Sequence, residues 1–383
     1  MASKFEEALT KAIEDGTAAG AAAIAVDKTG SALSCSSTLL TTICILQCVE
    51  RGAFALDDPV SKTLKEFETC TIITGMDGDK PIIEPSPRCP TLRELLTHSS
   101  GCTYTAMHPI LSEYWTKHLG REPDVVNNNV IYQHSNPLVF APGTAWAYGC
   151  GVDWAGVMVE RVSGQRLEAY MKEHIFDPLS MPLSTFHPTR NPDFMAKLAI
   201  RPMRHPETGK LVPDTTGTYP IIDPDDDLGG AGLYSSAPQY IKVLASLLAN
   251  DGRLLTPNSR AELLRPCLSP EAEAVLNMAL SGPFAPFLAP GYSVAGEKAG
   301  KGGEEVHYSY AIGGGVVVNE GGIGGLADPG LVYWSGLPNC NWFIDVERGV
   351  AGVYIAHLMP AGDKPTQDLY RAWHEAVYKM VGQ

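Results

Sequence analysis

The stretch LLTTICILQCVERGAFALDDPV, residues 39–60, decides the fold, and the other segments are placed outward from it. Its first half is apolar and extends back to Thr38, which predicts a helix over 38–51 that Gly52 terminates. Upstream, residues 3–15 predict an amphipathic helix, and GAAAIAV at 20–26 predicts a buried strand. The chain therefore opens with a helix, a strand and a second, apolar helix.

The last hundred residues differ in character from the middle of the chain. They contain short apolar runs bounded by Gly, Pro or Asn, a pattern typical of sequential antiparallel strands. The runs are GGGVVV (313–318), LVYW (331–334), WFIDV (342–346) and GVAGVYIAHL (349–358). A helix over 367–381 follows them, whereas the middle predicts short helices at 91–97 and 153–163 and an amphipathic helix at 237–251.

Strands just inside both ends of the chain predict one antiparallel sheet built from both termini and flanked by helices. We therefore expect an α+β fold in a single domain over residues 1–383. Its α/β lobe would comprise about 1–60 and 300–383, and a mainly helical lobe would comprise about 61–299. The cleft between the two lobes is the expected place for a small-molecule site.

Charge and cysteine content limit the partners and the compartment. The net charge is −14, and an acidic surface repels phosphate backbones and anionic lipid, so we expect no nucleic acid and no membrane partner. The first 27 residues lack the basic start and long apolar stretch of a signal peptide. Nine cysteines without a CxxC pair predict free thiols, which favours the cytoplasm. The ten histidines show no metal-ligand spacing, so we expect neither metal nor cofactor.

Five segments together resemble the fungal lovastatin-type acyltransferases and the related class C β-lactamase-like esterases, in the family's order and over nearly the whole chain. The segments are residues 39–60, LRELLTHSSGCTY (92–104), PLVFAPGTAWAYGCGVDWAGVMVERVSG (137–164), GGAGLYSSAPQYIKVLASLLANDGRLL (229–255) and GLPNCNWFIDVERGVAG (336–352). The resemblance implies a β-lactamase/transpeptidase-like fold. It also implies an S-x-x-K motif opening the helix at the cleft floor, a Tyr from the helical lobe that completes the base, and an oxyanion-hole amide on a strand containing Gly.

The S-x-x-K motif itself is absent from this sequence. Ungapped counting back from the apolar helix places Cys35 at the nucleophile position and Thr38 at the lysine position. The alternative pairs Ser34 with Ser37, but it needs an extra residue in the first helical turn, which rotates everything upstream by about 100° relative to the apolar face. We prefer Cys35 and Thr38, and the lysine is missing in either alignment. The family's strand-turn-strand excursion before this helix is also missing, because only Gly30 to Leu33 stand in its place.

The other two family motifs are recognisable. Tyr148 in WAYGCGVDW matches the catalytic Tyr, which makes it a candidate general acid or base; the alternative is a wall aromatic with a hydrogen-bonded hydroxyl. The third motif maps to YWSGL at 333–337, with neither Lys nor His at its head. The candidate substrate-binding residues are Ser34, Trp146, Trp334, Ser335, Gly336 and Leu337.

Cysteine and histidine candidates each have a functional and a structural interpretation. Cys35 is either a thiolate nucleophile, which a helix N-terminus favours without any lysine, or a buried small residue. We expect His98 to have a structural role in a turn. His307 and His357 lie in or near the predicted strands, and either could approach the cleft, although such a His is more often a satisfied core or surface residue.

Three functions are compatible with these residues. The first is acyl transfer or ester hydrolysis on a small apolar natural product of secondary (polyketide-type) metabolism, with Cys35 as nucleophile and an acyl carrier or CoA thioester as candidate donor. The second is non-acyl chemistry in the same cleft, such as cyclisation, isomerisation, dehydration or addition, with Tyr148 as acid-base group. The third is a non-catalytic binding protein. We favour an enzyme, and the first function over the second.

Overall fold

The computed structural model describes residues 4–27, 37–123, 129–196, 198–199, 201–214, 224–283, 285–292, 295–300 and 302–382. The helices are α1 (Lys4–Glu14), α2 (Ser37–Glu50), α3 (Leu92–Leu96), α4 (Pro109–Glu113), α5 (Val130–His134), α6 (Gly151–Ser163), α7 (Leu167–Met171), α8 (Pro192–Met195), α9 (Ala237–Ala249), α10 (Pro257–Leu264), α11 (Pro270–Leu280), α12 (Ala285–Leu288) and α13 (Lys364–Val381). The strands are β1 (Ala22–Asp27), β2 (Thr71–Asp77), β3 (Lys80–Pro85), β4 (Pro202–Arg204), β5 (Leu211–Pro213), β6 (Tyr308–Ala311), β7 (Gly314–Val317), β8 (Val332–Gly336), β9 (Cys340–Asp345) and β10 (Val350–Ile355).

Six of the described strands form one antiparallel sheet in the order β1-β10-β9-β8-β7-β6. The N-terminal strand pairs with the last strand of the chain, with Ile24 opposite Val353. The sheet is therefore built from both termini, as predicted. Every residue of β9 and all but the last of β10 are buried, because helices pack on the sheet and leave its central strands away from solvent.

Helix α2 lies in the middle of the molecule and confirms the helix predicted over 38–51. Its residues are buried from Ser37 to Cys48, and it packs against α6. The helix is apolar almost all round, which is the pattern of a helix inside a core, and each fully buried Leu or Ile contributes roughly 1.5–3 kcal/mol. The Thr41 hydroxyl of this helix donates to the Gly229 carbonyl at 2.8 Å.

Two hairpins lie outside the main sheet and were not predicted. β2 pairs with β3, and β4 pairs with β5. The first turns at Gly78, whose φ of 62° is a left-handed conformation that Gly adopts without steric cost. Ile73 is the one buried residue of its two strands, and a bulge between Ile73 and Gly75 interrupts the pairing, so the alternating pattern of a strand is weak there. The region about 61–299 is thus helical with two added hairpins, and its status as a separate lobe stays a prediction.

Helices α1 and α13 pack together, which brings the two ends of the described chain into contact. α9 packs across β1 and β10. The helices predicted over 3–15, 237–251 and 367–381 correspond to α1, α9 and α13. No helix in the described ranges combines the length and the apolar character needed to cross a membrane.

Candidate active site

A cavity of about 330 Å³ lies where the start of α2, the end of β8 and the segment before α6 meet. One of its walls follows a row of paired residues across four neighbouring strands: Gly336 in β8, Cys340 in β9, Ile355 in β10 and Ala22 in β1. Its volume is within the range of small-molecule sites. A cavity of small-molecule size is therefore present at the end of the sheet, while the predicted division into two lobes stays a prediction.

The start of α2 forms one side of this cavity. Ser37 and Thr38, the first two described residues of that helix, are both buried and both line the cavity. The main-chain N–H groups of a helix N-terminus carry a partial positive charge, which favours an anion or a developing negative charge nearby. Cys35 and Ser34, the predicted nucleophile and its alternative, lie outside the described residues, so their roles stay predictions.

Tyr148 faces the cavity from the segment that precedes α6, and its main chain is held on both sides. Its carbonyl accepts a hydrogen bond from the Thr103 hydroxyl at 2.8 Å, and the next amide, of Gly149, donates to Nδ1 of His98 at 3.3 Å. A side chain at Gly149 would place Cβ 2.3 Å from the Thr103 Cα, so only Gly permits this approach. Local packing therefore fixes the Tyr148 backbone.

Four aromatic rings pack around Tyr148. The ring centroids of His98, Trp334, Phe287 and Tyr104 lie 4.7, 5.4, 5.8 and 5.9 Å from that of Tyr148. Burial lowers the pKa of His98 to about 3, so its imidazole is neutral at physiological pH and Nδ1 can accept the Gly149 hydrogen bond. His98 thus lies in a turn, with a left-handed φ of 60°, and supports Tyr148 from behind.

The end of β8 provides the third side of the cavity. Ser335, Gly336 and Leu337 all line it, and the Ser335 hydroxyl donates to the Phe287 carbonyl at 2.7 Å. Trp334 and Trp146 are buried and do not belong to the cavity lining, because they pack behind Tyr148 against His98. The structure therefore does not bring these two predicted substrate contacts to the cavity surface.

Several lining residues were not singled out from the sequence. One of them, Tyr104, belongs to a buried hydrogen-bond network. Its hydroxyl donates to Oδ2 of Asp153 at 2.8 Å, and the Gly230 amide donates to Oδ1 at 2.9 Å. Burial raises the pKa of Asp153, while these hydrogen bonds favour the carboxylate. Burial, followed by the charge of Asp153, raises the pKa of Tyr104 well above its usual range. An acidic residue inside the apolar run GVDWAGVMV was the signal for this pair.

The described cavity lining carries no permanent charge. None of these residues is Lys, Arg, Asp or Glu; the polar side chains are those of Ser, Thr, Tyr, Cys and His. His357 is among them, whereas His307 lies at the surface with Nε2 3.0 Å from Oε1 of Glu273. Of the two histidines considered from the sequence, His357 is the one at the cavity.

A possible set of metal ligands lies away from the cavity. Glu168, His187 and Asp227 come together, but both carboxylates and Nε2 of His187 already have partners. Nε2 of His187 is 2.8 Å from Oδ1 of Asp227, which also pairs with Arg166 at 3.1 Å. Glu168 accepts hydrogen bonds at 2.8 Å from the Thr185 hydroxyl and the Phe186 amide. This cluster ties α7 to neighbouring loops and needs no ion to satisfy it.

Comparison with known proteins places the chain beside fungal enzymes. The sequence profile of the family described as Beta-lactamase matches residues 32–376. The chain is 33% identical over 353 residues to lovastatin esterase of Penicillium rubens, covering 91% of this chain and 84% of that protein. It is 32% identical over 354 residues to monacolin J acid methylbutanoyltransferase of Aspergillus terreus, covering 92% and 82%. A mutant of simvastatin synthase from Aspergillus terreus superposes with a TM-score of 0.88 at 30% identity, covering 99% of this chain and 97% of that one.

Proposed function

The chain belongs to the beta-lactamase family, and on that premise we propose that it transfers or hydrolyses an acyl group of a small, largely apolar molecule in the cavity beside Tyr148. The resemblance to lovastatin-type acyltransferases and esterases and the β-lactamase/transpeptidase-like fold are both confirmed by the relatives. So is the general class, an acyltransferase- or esterase-like enzyme of fungal polyketide metabolism.

One observation carries the proposal. The start of α2, Tyr148 and the end of β8 open into the same cavity, whose described lining carries no charged side chain. A helix N-terminus favours negative charge, a tyrosine hydroxyl can move a proton, and a strand end offers main-chain N–H groups to an oxyanion. Acyl transfer needs these three elements around one carbonyl carbon.

In the proposed reaction the Cys35 thiolate attacks the acyl carbonyl, and the oxygen of the tetrahedral intermediate is held by amides near Gly336. The C–O or C–S bond to the leaving group then breaks, and the leaving group takes a proton from Tyr148. In the second half an alcohol or water attacks the thioester, gives its proton to Tyr148, and releases the Cys35 thiolate. Assignment of Cys35 rests on sequence register alone.

The acyl donor and the compartment are further parts of this proposal. A thioester, from an acyl carrier or CoA, is the donor class best matched to a cysteine nucleophile, because thiol–thioester exchange is nearly balanced in energy. The eight described cysteines form no disulfide with one another, which supports a reducing compartment such as the cytoplasm.

Non-acyl chemistry is a second candidate, and the described lining favours it in one respect. No ammonium group of a described residue faces the cavity, whereas the family's usual serine chemistry needs one. In this alternative Tyr148 acts as acid-base group on a substrate that never becomes covalently attached.

Intact-protein mass spectrometry after incubation with a small acyl thioester distinguishes the two. We expect one acyl adduct on the wild-type chain, its loss in Cys35→Ala, and its retention in Cys340→Ala, which removes a thiol that also lines the cavity. An adduct that disappears only in Cys340→Ala would contradict the assignment of Cys35. Full turnover in Cys35→Ala together with loss in Tyr148→Phe would reject acyl chemistry in favour of the second candidate.

A further inference from the structure

The cavity is elongated along the end of the sheet. Gly336, Cys340, Ile355 and Ala22 are directly paired across β8, β9, β10 and β1, and all four line the cavity. Neighbouring strands are about 4.8 Å apart, so the cavity extends about 10 Å from Gly336 to Ile355 and about 14 Å to Ala22. A substrate that fills it is longer than an acyl group alone.

Tyr148 lies at the β8 end of this row. Its ring packs against Trp334 of β8 and against Phe287, whose carbonyl accepts the hydroxyl hydrogen bond of Ser335. The proposed reaction therefore takes place at one end of the cavity, and the β10 and β1 end is left for the rest of the substrate.

His357 lies at this other end, two residues after Ile355, in a conformation that the protein has to enforce. Its φ of 49° is in the left-handed region, which is unfavourable for a non-Gly residue. The buried Asn339 holds the segment in place: its Nδ2 donates to the carbonyls of Leu358 at 2.7 Å and Pro360 at 2.8 Å, and its Oδ1 accepts the Gly362 amide at 3.0 Å. Such outliers persist only where the surrounding structure stabilises them, and they are often found at functional sites.

The ring of His357 lies beside the main chain of Ala199 and the guanidinium of Arg201. In a neutral imidazole one ring nitrogen is an N–H donor, which the main chain of Ala199 favours, and the other is an acceptor. Burial, followed by the positive charge of Arg201, lowers the pKa of His357, and Arg201 is itself paired with Asp214. The imidazole is therefore neutral at physiological pH, and its second nitrogen is a hydrogen-bond acceptor. The other titratable side chains on the described lining are Tyr104, Tyr148, Tyr234 and Cys340.

We propose that His357 binds a hydroxyl group of the substrate and thereby determines which substrates fit. The strand spacing places this hydroxyl about 10 Å from the reacting carbonyl. This role rests on the proposed function, because it assumes that the acyl group reacts at the Tyr148 end. An acceptor nitrogen favours a donor such as a hydroxyl and disfavours a carboxylate, which brings only lone pairs. The substrate class is an apolar, elongated ester or acyl acceptor with a distal hydroxyl.

Three 4-nitrophenyl esters with ten-carbon acyl chains test this at pH 7.5: decanoate, 10-hydroxydecanoate and the monoester of decanedioic acid. We expect wild-type kcat/KM to be highest for the hydroxy ester and lowest for the carboxylate ester. In His357→Leu the advantage of the hydroxy ester over decanoate should fall by about three- to tenfold, mostly through KM, since one neutral hydrogen bond is removed. His357→Gln should keep most of the preference for the hydroxy ester over decanoate. His118→Leu, which alters an exposed histidine outside the cavity, should keep all of this preference.

Failure of this inference and failure of the proposed function give different results. Turnover of all three esters with the same ratios in wild type and His357→Leu overturns the role of His357 while the acyl chemistry stands. A carboxylate ester as good as the hydroxy ester also overturns it and indicates a cation at that end. If wild type releases no 4-nitrophenol, calorimetric binding of 1,10-decanediol and 1-decanol replaces the kinetics. Preference for the diol that is lost in His357→Leu supports the role, and equal binding in both variants refutes it.

Discussion

Gly149 is the residue on which the position of Tyr148 depends most directly. Its amide donates to His98, and its missing side chain allows the main chain to lie against Thr103 and Cys102. His98 is in turn buried and packs against the rings of Trp146, Tyr310 and Trp334. The backbone of Tyr148 is thus held by Gly149 and His98, neither of which lines the cavity.

We predict that Gly149→Ala lowers both stability and activity. The new Cβ would lie 2.3 Å from the Thr103 Cα and 2.5 Å from the Cys102 carbonyl oxygen, so backbone must shift. We expect a loss of about 2 kcal/mol or more in the free energy of unfolding and about tenfold or more in kcat/KM. Urea unfolding and ester hydrolysis measure the two. Gly164→Ala is the matched control: its φ of 70° adds strain of about 1 kcal/mol, but no atom lies within 4 Å of its new Cβ, and activity should remain.

We predict that the free energy of unfolding decreases in acid, because two histidines are buried in the fold. Burial lowers the pKa of both His98 and His374 to about 3, from 6.5 in the absence of burial. Between these values the unfolded chain binds more protons than the folded chain, so stability is complete above pH 6.5 and falls as the pH decreases toward 3. Each histidine contributes up to about 1.4 kcal/mol per pH unit in that window.

The measurement is the free energy of unfolding at several pH values for wild type, His98→Asn and His374→Gln. Each variant should show a shallower decline between pH 6.5 and pH 4 than wild type, whatever its stability at pH 7.5. A decline as steep as that of wild type in both variants would mean that neither imidazole is kept neutral by the fold.

At the scale of elements, α2 connects the core to the cavity. Its apolar turns are buried against α6, while its first turn exposes Ser37 and Thr38 to the cavity. The Thr41 hydroxyl links it to Gly229, which leads into the lining residues 230–237. The helix therefore sets the position of two cavity walls, and the register of its first turn decides which residue could act as nucleophile.

We predict that the ungapped register is the functional one. The double variant Cys35→Ser/Thr38→Lys creates S-x-x-K in that register and places an ammonium group at the cavity-lining position 38. Its 4-nitrophenyl ester hydrolysis should exceed that of Cys35→Ser alone by about a hundredfold or more, as expected for a restored general base. The single variant Ser37→Lys creates the motif with Ser34 instead and should give no gain. The opposite pattern would assign the nucleophile position to Ser34.

At the scale of the whole molecule, the cavity depends on both ends of the chain being brought together. β1 pairs with β10, α1 packs on α13, and the β4 hairpin is joined to the start of α13. Nη2 of Arg204 is 2.9 Å from Oδ2 of Asp363, and it also donates to the Thr17 carbonyl at 2.7 Å. Asp363 caps α13 through the Thr366 amide. One buried ion pair therefore joins three distant segments.

We predict that Arg204→Met costs about 3–5 kcal/mol in the free energy of unfolding, because it leaves the Asp363 carboxylate buried without its partner. In a double-mutant cycle with Asp363→Asn, the combined loss should be smaller than the sum of the single losses. The control is Arg253→Met, which removes an exposed pair with Asp251 and should cost less than about 1 kcal/mol. Equal effects of the two arginine variants would show that the Arg204 pair has no special role.

Periodicity and composition determined much of the architecture by themselves. The helix over 38–51, the four C-terminal strands and the sheet built from both termini follow from patterns within short windows, because apolar spacing is dictated by the local period of helix or strand. The resemblance to the family's motifs, rather than periodicity, implied that Tyr148 and the end of β8 lie at the active-site cleft, and both line the cavity. The β2–β3 hairpin was missed because it has no clear local period: its alternation of apolar and polar residues is short and is interrupted by a bulge.

Only the tertiary structure decided which side chains face the cavity. It placed Tyr104 and His357 there, and it turned Trp146 and Trp334 into the packing behind Tyr148. The direction of a side chain depends on contacts between segments far apart in sequence, such as Thr41 with Gly229 or Asn339 with Leu358. A local pattern predicts that a residue is in a strand or loop, but the surface it faces is fixed by the packing of the whole chain.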